Sequence, residues 1–139
     1  MIKDLVKDTA ILSQRCEKAT ADDAALAEDL VDTLKSLEDA ACLAANQIGV
    51  AKSVVVWMDD DGNAHVMYNP RLMMGLQASK AVETCLTLEE PVKVTRYNKV
   101  KVSFDELVDG TLVQRKRDYV GWEAQMIQHM IDHCNGKLV

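Results

Sequence analysis

The stretch Gly121-Trp122-Glu123-Ala124-Gln125-Met126-Ile127-Gln128-His129-Met130-Ile131-Asp132-His133-Cys134, followed by Asn135-Gly136, decides how this chain is read. Met126, Ile127, Met130 and Ile131 recur at helical spacing, which predicts a largely buried helix from Gly121 to about Cys134 with Asn135-Gly136 as its stop. On that helix His129 and His133 stand one turn apart on one face, where both imidazoles can turn toward one ion. Two histidines at this spacing also occur as ordinary core residues, so the helix alone leaves both readings open.

Before this helix the chain is rich in β-formers. Val82 to Leu88, Val92 to Val94, Lys99 to Phe104 and Thr111 to Tyr119 read as strands, the last two joined through Asp109-Gly110. Alternation in Val100-Lys101-Val102-Ser103-Phe104 predicts one buried face. Ser53 to Met58 and Ala64 to Tyr68 flank Asp59-Asp60-Asp61-Gly62-Asn63 and form a β-hairpin before Asn69-Pro70. The acidic triplet reads as a solvated tip rather than a Ca²⁺ loop. Ala40 to Gln47 is a run of small residues that lets other backbone approach closely. Thr20 followed by Asp23 resembles a capping box, and Leu26, Leu30, Leu34 and Leu37 predict an amphipathic helix over about Asp22 to Leu37. The order of elements predicts an α+β fold in which the C-terminal helix packs on a mixed or antiparallel sheet. The length of 139 residues fits one domain, 1–139, and no repeat or linker is visible.

Composition narrows the function. With 48% apolar and 4% aromatic residues, the core is aliphatic and Met-rich. A net charge of −6 gives no general attraction to phosphate backbones or anionic lipid, so neither nucleic acid nor membrane is an expected partner. No apolar run approaches the roughly 20 residues of a membrane span. Lys3, Asp4, Lys7 and Asp8 interrupt any signal-peptide core, so the expected location is cytoplasmic. Cys16, Cys42, Cys85 and Cys134 are then not expected to form a disulfide framework. Cys85 is read either as a small buried hydrophobe or as a thiolate ligand. In the second case it would join two imidazoles and leave a fourth position open, as catalytic sites do.

Three segments carry a resemblance. Ala40 to Gln47, Glu83-Thr84-Cys85-Leu86-Thr87 and Gln128 to His133 fall, in order and at the right separations, on the peptide deformylase motifs G-x-G-x-A-A-x-Q, E-G-C-L-S and Q-H-E-x-D-H. Asn69-Pro70, Arg96 and Asn135-Gly136 match as well. The chain therefore resembles a peptide deformylase over nearly all its length. The resemblance implies sheets packed around a C-terminal metal-binding helix, with an N-terminal helix. It also implies one divalent metal on Cys85, His129 and His133, which is Fe²⁺ in many members and Zn²⁺ or Ni²⁺ in others. The partner it implies is an N-formylmethionyl peptide or nascent chain N-terminus, whose formyl group the family removes with metal-activated water. By the same resemblance Glu83 and Arg96 brace Cys85, and the Gln47 amide and Leu86 N–H serve a developing oxyanion. Cys42, Trp122, Gln125 and Met126 fall on the peptide groove and the methionine pocket.

The pattern is broken at its chemical centre. Met130 stands where the family has the Glu that takes the proton of water and hands it to the leaving nitrogen. A thioether does neither. Asp132, two residues on, is turned by about 200° and points away, and Glu89 or Glu90 would need a loop rearrangement. Ala40, Cys42 and Thr84 replace three family glycines, with Cys42 crowding the groove. Trp122 is bulkier and Gln125 more polar than the usual aliphatic residues. The reading is a deformylase-like metalloprotein, catalytically impaired or inactive. An active enzyme with another proton carrier and a metal- or peptide-binding interaction module are the alternatives. Met130 is expected beside the metal in an apolar pocket; should Cys42 and Cys85 lie close together, oxidation would trap the ligand thiol as a disulfide and expel the metal.

Overall fold

A computed structural model describes residues 1–139. Five strands, β1 (Cys42–Ala44), β2 (Val54–Met58), β3 (Ala64–Cys85), β4 (Leu88–Val108) and β5 (Thr111–Val120), form one sheet in chain order, each pairing antiparallel with the next. Three helices accompany it: α1 (Thr9–Leu12), α2 (Ala24–Ser36) and α3 (Gly121–Cys134). This is the α+β class expected, with a single, wholly antiparallel sheet. No helix is long and apolar enough to cross a membrane.

The sheet is covered on both sides. Val54 and Val56 of β2 join Leu30, Leu34 and Leu43 in one core cluster against α2. Val55 and Trp57 join Met67, Val100, Val102 and Phe104 against Ala124, Met126, Ile127, Met130 and Ile131 of α3. Burial on both faces explains why β2 reads as an uninterrupted apolar run rather than an alternating one.

The segments read separately as Ala64–Tyr68, Val82–Leu88, Val92–Val94 and Lys99–Phe104 are pieces of one long hairpin, β3 and β4. Asn69-Pro70 does not end β3. Asn69 takes φ 53° at a register shift between Tyr68 and Arg71, which is a bulge inside a continuing strand. Its side chain accepts from Ala19 N–H at 2.8 Å and donates to Ala19 O and Asp105 Oδ2, each at 3.0 Å. The expected strand Val82–Leu88 is broken by the Leu86-Thr87 turn, where Cys85 pairs with Leu88. Asp109 and Gly110, at φ 51° and 81°, make the left-handed pair a two-residue hairpin needs.

The helices follow their local signals closely. Thr20 N–H donates to Asp23 Oδ2 and Thr20 Oγ1 accepts from Asp22 N–H, but the first turn, Ala21–Asp23, is 3₁₀ and α2 begins at Ala24. The short α1 was not anticipated. Asp8 caps it by accepting from Ala10 N–H, and Leu12 is buried. The Gly136 stop has φ 77°, and a Cβ there would meet Ser13 O at 2.6 Å. The end of α3 is thus held against the α1 segment, with Cys16 N–H donating to Cys134 O at 2.9 Å.

Candidate metal centre

Helix α3 and the end of β3 meet at one point. The ligand-capable atoms of Cys85, His129 and His133 all lie within 4.8 Å of one another. Four-residue spacing on α3 puts the two rings 4.8 Å apart at an interplanar angle of 65°. Cys85 lies at the last of three register shifts in the β3–β4 pair, between Glu83 and Cys85, a bulge that re-aims the end of β3. His133 Nε2 is 3.5 Å from Cys85 Sγ.

Glu83 orders this cluster from behind. His129 Nδ1 lies 2.8 Å from Glu83 Oε1 and donates to it, which leaves Nε2 for the Cys85 side; burial would lower the imidazole, but its hydrogen bonds to Cys85 and Glu83 outweigh that and raise it to about 9 in the metal-free protein. Arg96 grips the carboxylate with both Nε and Nη2, at 2.9 and 2.7 Å, while its Nη1 donates to Asp132 Oδ2 at 2.7 Å. Gln125 Nε2 adds a fourth donor to Glu83, at 2.9 Å. Burial alone would raise the Glu83 carboxyl, but the hydrogen bonds from His129, Arg96 and Gln125 outweigh it and hold the group at about 2. For Cys85 burial again opposes ionisation, and hydrogen bonds from His129, His133 and Thr87 bring the thiol down to about 5. One cysteine sulphur, two imidazoles and a buried carboxylate behind one of them are a donor set that fits a divalent transition metal. His133 Nδ1 is buried without a partner, so its Nε2 is the nitrogen with a role.

A cleft of about 490 Å³ opens on these atoms, lined among others by Cys42, Gln47, Leu86, Trp122, Gln125 and Met126. Gln47 is fixed by Ala44 N–H donating to its Oε1 at 2.9 Å, and its Nε2 donates to Cys85 Sγ and Thr87 Oγ1, each at 3.3 Å. Leu86 lies in the turn at the rim. Trp122 is not core filler: it is 57% exposed at the cleft edge. Met130 is buried to 1% exposure in the apolar cluster and also lines the cleft, as its place in the motif predicts. Cys42 shares the cleft with Cys85, and burial followed by the nearby Cys85 charge pushes its thiol up to about 12. A larger hollow of about 660 Å³, between α2 and the sheet, contains no such cluster.

Two partners escaped the sequence reading. Asp132 does point away from the cleft, but toward Arg96 rather than into solvent, so the base that Glu83 leans on is itself anchored to α3. Gln125 reaches Glu83, 42 positions away. The only signal for either was the polar residue set on an otherwise apolar helix.

Across residues 2–139 the chain matches the family model described as polypeptide deformylase. It is 38% identical over 141 residues to a peptide deformylase of Clostridium beijerinckii, with both chains covered completely. A peptide deformylase from Legionella pneumophila, at 28% identity, superposes with a TM-score of 0.85 over 99% of this chain and 83% of that one. A class I type b peptide deformylase from Acinetobacter baumannii gives the same TM-score at 24% identity, over 99% and 97% of the two chains, which speaks for the fold alone.

Proposed function

The chain belongs to the polypeptide deformylase family, and from that premise we propose that it holds one metal ion, Fe²⁺ or Zn²⁺, on Cys85, His129 and His133 and receives the N-terminus of a formylmethionyl peptide, with deformylation impaired at the proton-transfer step. The observation that carries this reading is the convergence of those three ligands on a cleft whose two lining carboxylates are Glu83, held by Arg96, His129 and Gln125, and Asp39, which is exposed to solvent.

When bound, the metal would supply Lewis acidity toward the formyl oxygen and lower the pKa of water. The side chains do the rest. Glu83 and Arg96 hold His129 in one tautomer and one orientation. Gln47, pinned by Ala44 N–H and with its Nε2 donating to Cys85 and Thr87, lines the cleft together with Leu86; the Gln47 amide and the Leu86 N–H would serve the developing oxyanion. Trp122, Met126 and Leu86 offer an apolar surface to a methionyl side chain. Cys42 also lines this cleft, where its side chain takes up space that a glycine would leave open.

Proton transfer is what fails. The family reaction needs a group that accepts a proton from water and returns it to the amine, and Met130 has no such capacity. Glu83 already carries four donors, Asp132 is committed to Arg96, and Glu89 and Glu90 are exposed beyond the Leu86-Thr87 turn. Loss of a general acid–base costs about 10²–10⁴-fold in rate.

The test is turnover of a formyl-Met peptide by anaerobically prepared Fe²⁺ protein beside Met130→Glu. The expected result is a gain of about 10²-fold or more in the variant. Equal turnover by both would overturn the reading and place the proton carrier elsewhere.

A further inference from the structure

Glu83 is held from two sides. Its Oε1 accepts from Arg96 Nη2 at 2.7 Å and His129 Nδ1 at 2.8 Å, and its Oε2 accepts from Arg96 Nε and Gln125 Nε2, each at 2.9 Å. A carboxylate offers about four lone-pair sites, and four donors occupy them. Arg96 stands on β4 and Glu83 on β3, so the two-pronged grip of the guanidinium fixes the carboxylate plane relative to the sheet. Gln125 and His129 stand on α3, and their two contacts fix the same carboxylate relative to the helix.

The spacing on α3 gives the second contact its meaning. Gln125, His129 and His133 follow at four-residue steps and share one stripe of the helix. Gln125 therefore takes hold of Glu83 one turn ahead of the ligand that Glu83 orients. A glutamine amide has both a donor and an acceptor end, but a carboxylate only accepts, so the Nε2 end faces Glu83. An aliphatic side chain at this position would leave Oε2 with Arg96 alone and the carboxylate tied to α3 only through the imidazole it is meant to orient.

Resting on the reading of Cys85, His129 and His133 as metal ligands, we propose that Gln125 is a positioning residue of the metal centre, locking Glu83 to α3 so that the helix itself sets where Oε1 meets His129 Nδ1. A residue whose place in the motif points to the methionine pocket thus has its amide committed to the metal side of the cleft.

The experiment is a chelator competition for Zn²⁺ with the full-length protein. Gln125→Leu keeps a good helix former, removes the donor and is expected to weaken Zn²⁺ binding about 3–10-fold, less than Glu83→Ala does. In the Glu83→Ala background the same substitution should change nothing further, because its effect passes through the carboxylate. Equal affinity in Gln125→Leu and the parent, or losses that simply add in the double variant, overturns the inference. A readout on metal-free wild-type protein needs no variant: the two Gln125 side-chain amide protons should give separate NMR signals, one of them shifted downfield and protected from exchange with water. A pair that exchanges as freely as on an exposed glutamine overturns the inference as well. If Cys85→Ser loses Zn²⁺ while Gln125→Leu binds it like the parent, the role of Gln125 falls and the ligand reading stands. If Cys85→Ser and His133→Ala both bind Zn²⁺ like the parent, the ligand reading itself falls.

Discussion

Glu83 Oε1 lies 2.8 Å from His129 Nδ1, and the same carboxylate takes both Arg96 Nε and Nη2. The pair joins a strand end to a helix across 46 residues of sequence. One carboxylate thus sets the direction of a ligand and neutralises the only guanidinium buried beneath it.

Removing it should be costly. Glu83→Ala leaves Arg96 without its main partner and His129 without an orienting acceptor, so destabilisation of about 3–5 kcal/mol is expected. Metal affinity should fall about 10–100-fold. Urea unfolding and a metal competition assay measure the two; a stability loss below about 1 kcal/mol would show that the network is ornamental.

The same group dictates how the metal-free protein responds to acid. Its folded value of about 2 lies below the unfolded 4.5, so its contribution is fully present above the unfolded value and is lost as pH falls toward 2. Thermal unfolding of metal-free protein should show Tm dropping through this window, and Glu83→Gln should flatten that part of the curve. An identical slope in the variant would assign the acid sensitivity to other carboxylates.

Ligand substitutions test the centre directly. Cys85→Ser and His133→Ala each remove one of three converging donors, and metal content after dialysis should drop from about one ion per chain to a small fraction. Full occupancy in either variant means that the ion sits elsewhere.

Gly75 gives a prediction about the long hairpin. A Cβ there would lie 2.3 Å from Tyr97 Cγ on the neighbouring strand, and Tyr97 is anchored by its N–H donating to Gln128 Oε1 of α3. Gly75→Ala should therefore cost about 1–3 kcal/mol by overpacking. Calorimetry that finds the variant as stable as the parent would mean that the Tyr97 ring moves aside freely.

What the sequence determined by itself was whatever rests on near neighbours and side-chain chemistry. The span of α3 with its paired histidines, the capping signal at Thr20, the Asp109-Gly110 turn and the three motif positions were all legible, because helical period and turn dihedrals depend on residues a few places apart. The presence of Met130 in place of an acid was equally plain. Tertiary structure decided the rest. Asn69-Pro70 reads locally as a stop, but Ala19, 50 residues earlier, holds Asn69 in a bulge and lets β3 run on to Cys85. The apolar run of β2 does not say which helix each side chain meets; only α2 and α3 closing on opposite faces settle it. Gln125 and Asp132 look like polar residues on a buried helix until β3 and β4 bring Glu83 and Arg96 against them. A buried polar group needs its partner in space rather than in sequence, and that partner exists only once the chain has folded.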